Sequence, residues 1–168
     1  MKVKLMMLVK EADEEVNEVA QFESDGFIFV AELMNCHAKD FEMGKEYEVD
    51  LSCYCHAIYG VYKTYEEFQK EHNGMAKESF IPVGAFPASE KHIEEWKPSP
   101  MNYINSVVKD VVDNEIYQTP ENYILFHGKV LDKTLDQILY YENIDEKDVV
   151  EPGYIVSGLY WIELTKEE

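Results

Sequence analysis

Tyr47-Glu-Val-Asp-Leu-Ser-Cys-Tyr-Cys-His56 decides the fold. Apolar and polar side chains alternate through it, and successive side chains of a strand point to opposite faces. Tyr47, Val49, Leu51, Cys53 and Cys55 form one face. Glu46, Glu48, Asp50, Ser52, Tyr54 and His56 form the other. The pattern predicts a strand with one side in the core and an acidic side in water. Met43-Gly44-Lys45 before it reads as a turn.

Working outward, residues 2–10 read as a strand, followed by the charge run Glu11-Ala-Asp-Glu-Glu15. Val16, Val19 and Ala20 suit a short helix by spacing and a strand by their Val content. Ser24-Asp-Gly26 is a turn signal, and Phe27-Ile-Phe-Val-Ala-Glu-Leu-Met34 is a buried strand. Thr64-Tyr-Glu-Glu67 predicts a capping box, with Glu67 reaching back to the Thr64 amide. The helix runs over about residues 65–72, with Tyr65, Phe68 and His72 on one side, and Asn73-Gly74 ends it. Ser79 to Gly84 reads as a short edge strand, because Pro82 cannot donate to a ladder. Residues 85–100 hold three prolines and read as a connector, with a helical turn or two from Ser89 to Trp96.

The remainder predicts strands at Met101–Val112, Asn122–Leu131, Leu135–Tyr141 and Tyr154–Leu164, with a slip at Val107-Val108. Gly26–Asn35 echoes Asn122–Leu131, and Gly44 before a long alternating strand echoes Gly153 before another. The expected class is mainly β: a small antiparallel Greek-key or OB-like barrel, or two packed sheets, with one or two short helices. The expected organisation is a β-rich half over 1–84, the connector 85–100 and an OB-like half over 101–168. A single packed domain is the alternative. Val150-Glu-Pro-Gly-Tyr-Ile-Val-Ser-Gly158, Ile81-Pro-Val-Gly-Ala-Phe-Pro87 and Ser99-Pro100 carry a resemblance over roughly 80–164. The C-terminal half resembles small uncharacterised bacterial proteins with an OB-like β-barrel. That resemblance implies a fold and no assigned chemistry.

Composition excludes more than it names. The 168 residues hold 34 acidic and 15 basic residues, every basic one a lysine, for a net charge of −19. Such a chain repels nucleic acid and anionic membranes, and it lacks the arginine fork that grips phosphates. An apolar share of 46% still allows a core. Lys, Asn, Ile and Tyr usage matches an A+T-rich genome, which accounts for the missing arginine but not for the acid excess. The N-terminus lacks a signal-peptide pattern, no stretch spans a bilayer, and three cysteines give no disulfide framework. A reducing cytoplasm is the expected compartment.

Cys36, His37, Cys53, Cys55 and His56 are a candidate metal or Cys/His catalytic set. Against it, C-x-C is not zinc-knuckle spacing, and Cys53 and Cys55 continue the apolar face, where free cysteine acts as a small hydrophobe. Asp110 with Asp113, Glu94 with Glu95, and Asp132 with Asp136 are carboxylate pairs that suit a solvated surface. No phosphate loop, dinucleotide fingerprint or serine-nucleophile motif occurs, and no cofactor is implied. Aromatic residues on an OB-type face could stack single-stranded bases, but the basic groove this needs is missing. The expected function is therefore an acidic binding protein for a basic protein partner, of interaction or immunity/inhibitor type. Glu46, Glu48, Asp50 and Tyr54 are its candidate contact residues.

Overall fold

The computed structural model describes residues 1–15, 17–82, 99–115, 123–130, 133–140 and 150–167. Among them are nine strands: β1 (Lys2–Lys10), β2 (Val19–Ser24), β3 (Phe27–Leu33), β4 (Tyr47–Tyr62), β5 (Ser79–Ile81), β6 (Met101–Glu115), β7 (Tyr123–Val130), β8 (Lys133–Tyr140) and β9 (Ile155–Lys166). One helix, α1 (Tyr65–Glu71), and a 3-10 turn at Ala38–Asp40 accompany them. The protein is mainly β, and the helix-or-strand choice near Val19 resolves to β2. The expected helical turns at Ser89–Trp96 lie outside the described residues, as does all of the connector except Ser99 and Pro100.

The chain divides into two compact units that are not consecutive halves. Met1–Ser52, Phe80–Asn102 and Trp161–Glu168 form the first; Cys53–Ser79 and Tyr103–Tyr160 form the second. The division falls inside β4 and inside β9, so each of these long strands serves both units.

In the first unit β1 pairs antiparallel with β2, and β2 with β3, in registers such as Leu5↔Phe22 and Phe22↔Phe29. The β2–β3 turn holds Asp25 at φ 52 and Gly26 at φ 81, a conformation that favours Asn, Asp and Gly. The end of β9 lies parallel to β3, with Leu33↔Leu164. Glu167 N donates to Glu48 O at 3.0 Å beside β4, and β4 returns to β1 at Val3↔Tyr47. The strand order β1-β2-β3-β9-β4 thus closes on itself. Inside it Val3, Phe22, Phe29, Val49, Ile162 and Leu164 have no exposed surface. Each such side chain contributes about 1.5–3 kcal/mol of burial. Phe22 stacks on Phe29 with ring centroids 5.8 Å apart, and Phe27 meets Phe80 edge-on at 4.4 Å.

The second unit repeats the plan. β6 pairs antiparallel with β7 and β7 with β8, and β8 lies parallel to the later part of β4 at Cys53↔Gln137. β9 lies beside β4 and also beside β6, where Val108 N donates to Tyr154 O and Gly153 N to Val108 O, both at 2.8 Å. The order β6-β7-β8-β4-β9 is therefore again three antiparallel strands, a parallel step and a return. Gly44 (φ 83) and Gly153 (φ 93) precede β4 and β9, the last strand in each of these two orders, so that part of the echo has a topological counterpart. The other part pairs β3 with β7, a third strand with a second one. In β6 the register shifts fall between Val108 and Asp110 and between Val111 and Asp113, just beyond the expected Val107-Val108.

β4 follows its alternation only in part. Val49, Cys53 and Cys55 are buried, while Tyr47 and Leu51 are half-buried. Beyond Cys55 the buried parity changes, with Tyr59 exposed and Tyr62 inside. Helix α1 caps as expected at Thr64, whose Oγ1 accepts from Glu67 N at 3.2 Å. The reciprocal bond differs: the Glu67 carboxylate accepts from Lys63 N at 3.1 Å. The helix buries Phe68 against Tyr62 and Ile155, and Gly74 at φ 82 follows its end.

Candidate functional site

The acidic face read from β4 extends onto its neighbours in the first unit. Glu46, Glu48 and Asp50 are all exposed. Glu48 and Asp50 stand beside the end of β9, where Glu167 follows opposite Glu48. On the other side of β9, the parallel pairing sets Glu32 of β3 directly against Glu163. Inward positions Leu33 and Leu164 hold the register, so the carboxylates must share the outer face. Trp161, two residues before Glu163, belongs to that face too. Its Nε1 donates to Glu32 Oε1 at 3.0 Å, and Asn17 N donates to Glu32 Oε2 at 3.1 Å. Glu32 is only 8% exposed, yet it is held by two donors.

Like charge shows in the titration of this face. Burial, then the Glu32 carboxylate, pushes the Glu163 carboxyl above its ordinary value. The Asp50 charge comes first in raising Glu167, followed by burial, a side-chain hydrogen bond to Asp50, and Glu48. A carboxyl rises in this way when neighbours of its own sign outweigh nearby cations; here the Met1 ammonium, 3.2 Å from Glu48 Oε2, offsets only part of the rise of Glu167. Lys166 lies between Glu163 and Glu167 in sequence but turns to the opposite side. Its Nζ sits 4.7 Å from the Tyr47 ring centroid and 5.4 Å from that of Phe41, and it donates to Asp40 O at 3.2 Å. Glu46 stands apart from the ladder. It lines a polar hollow of about 50 Å³ with Lys2, Lys4, Glu23, Ser24 and Asp25, so two lysines share its surroundings.

The other expected site residues fall elsewhere. Tyr54 belongs to the second unit, half-buried on the outer face of β4, stacked on Tyr140 with ring centroids 6.5 Å apart and planes at 11°. Cys53 and Cys55 lie in that unit's core. Burial raises both thiols, Cys55 to about 12, which withholds the thiolate that a metal or an electrophile needs. His56 is exposed, on the face away from them. Cys36 and His37 belong to the first unit; burial also raises the Cys36 thiol, and His37 Nδ1 lies 2.9 Å from Glu18 Oε1. Among the described residues no three His, Cys, Asp or Glu side chains form a metal-holding group.

Of the carboxylates paired by sequence proximity, Asp110 and Asp136 flank His127 across β6, β7 and β8, 2.6 Å from Nδ1 and 3.0 Å from Nε2. Only the doubly protonated ring can donate to both. Glu94, Glu95 and Asp132 lie outside the described residues. Glu32, Trp161, Glu163 and Glu167 were missed because each looks unremarkable in its own segment. The available signal was the alternation Trp161-Ile-Glu-Leu-Thr-Lys-Glu167, which sets Trp161, Glu163 and Glu167 on one face.

No described helix is long and apolar enough to cross a membrane. Comparison with known proteins finds no match: no family model fits the chain, and no curated protein or solved structure is similar to it.

Proposed function

We propose that the outer face of β3, β9 and β4 in the first unit binds a cationic segment of a partner protein. One observation carries the reading: carboxylates gather on that face, where burial and then Glu32 raise Glu163, and Asp50 leads in raising Glu167. A lysine or arginine side chain placed among them relieves that repulsion, and Trp161 adds a π face of the kind that attracts cations and anchors interfaces. Charge of this sign also steers a basic partner towards the face. An immunity or inhibitor role, covering the cationic site of a toxin or nuclease, fits the same chemistry. The closed five-strand order supports an OB-like reading of each unit. Oligonucleotides are the frequent guests of such barrels, but a chain of net charge −19 disfavours them.

The test is low-salt retention of basic proteins by the wild-type chain and by the triple variant Glu48→Gln, Asp50→Asn, Glu167→Gln. Retention should depend on the three carboxylates, weaken with salt, and release protons at mildly acidic pH as the raised carboxyls ionise. Equal retention by both chains, or none by either, removes the reading.

A further inference from the structure

β1 is paired on both sides only at its start. Lys2 and Val3 face β4, while Lys4 to Lys10 face β2 alone. Among the described residues no strand pairs with the second edge of β1 beyond Val3. This edge is also apolar. Met6, Met7 and Leu8 are 42%, 49% and 39% exposed, three consecutive large side chains in a strand that should show every second one. The cause is local. The register shifts between Leu5 and Met7 and again between Leu8 and Lys10, so two bulges break the alternation that hides Val3 and Leu5. Past the edge, the ribbon ends in exposed Glu11, Glu14 and Glu15, with Asp13 paired to Lys10 of β1.

We infer that β1 accepts an added strand along residues 5–10, supplied by an extended segment that alternates apolar and basic side chains. The edge offers main-chain donors and acceptors, the methionines and leucine offer adaptable apolar contact, and the acidic tip offers charge for the basic positions. A second copy of the chain fits poorly. Each copy carries −19, and two bulges coil the ribbon away from the flat geometry that self-pairing edges need. A flexible segment can follow that coil. The inference rests on the basic-partner reading, but it concerns a different surface, so the two can fail separately.

The probe is an end-blocked octapeptide of alternating valine and lysine. Its control carries N-methyl groups on alternate amides, which keeps the charge and blocks the hydrogen-bonding edge. Binding is followed at low salt by titration and by amide exchange of residues 5–10. The plain peptide should slow exchange along β1, and the control should not. The variant Met7→Ser with Leu8→Ser keeps the net charge and changes two exposed side chains, so the fold persists while affinity falls about tenfold or more. Equal binding by both peptides, with β1 exchange unchanged and signals from Glu163 and Glu167 shifted, overturns the strand-addition inference and leaves the acidic face standing. Binding by neither peptide, nor by octalysine, overturns both. Protection of β1 by self-association without peptide also overturns it, in favour of a second copy.

Discussion

Asn102→Leu tests how the first unit holds β3 in register with its acidic face. Asn102 is wholly buried and stands in for a strand. Its Oδ1 accepts from Val30 N at 2.9 Å, and its Nδ2 donates to Val30 O at 2.8 Å and to Pro100 O at 3.2 Å. Leucine has similar bulk and none of these groups. Pro100 O keeps a bond from Ile162 N at 3.1 Å, so the substitution leaves two orphans, both on Val30. A buried unpaired group costs about 1–3 kcal/mol, giving about 2–6 kcal/mol before leucine's apolar gain offsets part of it. With a urea m-value of about 2 kcal/mol/M, the midpoint should fall by about 1–2 M. Amide exchange at Val30 should accelerate selectively. Asn105→Leu is the internal control. Asn105 is equally buried, but its Oδ1 has no partner among the described residues, and its Nδ2 bonds the half-buried Ser79 Oγ at 2.9 Å and, at 3.5 Å, the carbonyl of exposed Ala76. It should therefore cost clearly less. A midpoint shift at Asn102 no larger than at Asn105, with Val30 exchange unchanged, would refute the reasoning.

Two further outcomes follow from the second unit's core. Gly128→Ala places a Cβ 2.3 Å from Gln137 Nε2 and 2.9 Å from Ser106 Oγ, in a buried site where Ser106 Oγ already bonds Gln137 Oε1 at 3.0 Å. Overpacking of this kind costs about 1–3 kcal/mol, so calorimetry should show Tm lower by roughly 2–10 °C; an unchanged Tm means that Gln137 swings aside freely. At pH 8 a thiol reagent should label Cys36 in the native protein and reach Cys53 and Cys55 only in denaturant. Because folding raises those two thiols, the native state holds their protons while the unfolded chain loses them, so stability should fall as pH rises past the ordinary thiol value. Native labelling of all three, or stability flat through that range, contradicts their burial.

Alternation made β4 legible because a half-buried strand must sort its side chains by face, and Glu48 and Asp50 were sorted correctly. It could not tell which strands lie beside β4, since the same pattern serves any partner. Glu32 meets Glu163 only because β9 runs parallel to β3, a pairing between distant segments that no local residue choice records. The parity change between Cys55 and Tyr62 was hidden for a related reason. β4 passes to the second unit at Cys53, just ahead of that stretch, and from there what counts as inside is set by a different ring of strands. The capping box failed in one detail only: Glu67 had a choice of amides, and Lys63 N took the bond.

The matched strand orders of the two units bear on whether the acid is placed or merely plentiful. In the first unit the outward pair on the parallel step is Glu32 opposite Glu163. In the second unit the same step carries Tyr54 opposite Ile138, with Tyr140 stacked on Tyr54. The inward neighbours differ less, Leu33 and Leu164 in one unit and Cys53 and Gln137 in the other, all buried. One topological position therefore carries two carboxylates in one unit and an aromatic beside an aliphatic in the other. Acid retained only for solubility serves equally well on either unit, and the half-buried Tyr54 and Ile138 would be the places to put it. The carboxylate pair at this step of the first unit, where Glu32 adds to burial in raising Glu163, is a local cost that general solubility does not require. The proposed cationic guest would supply the compensation.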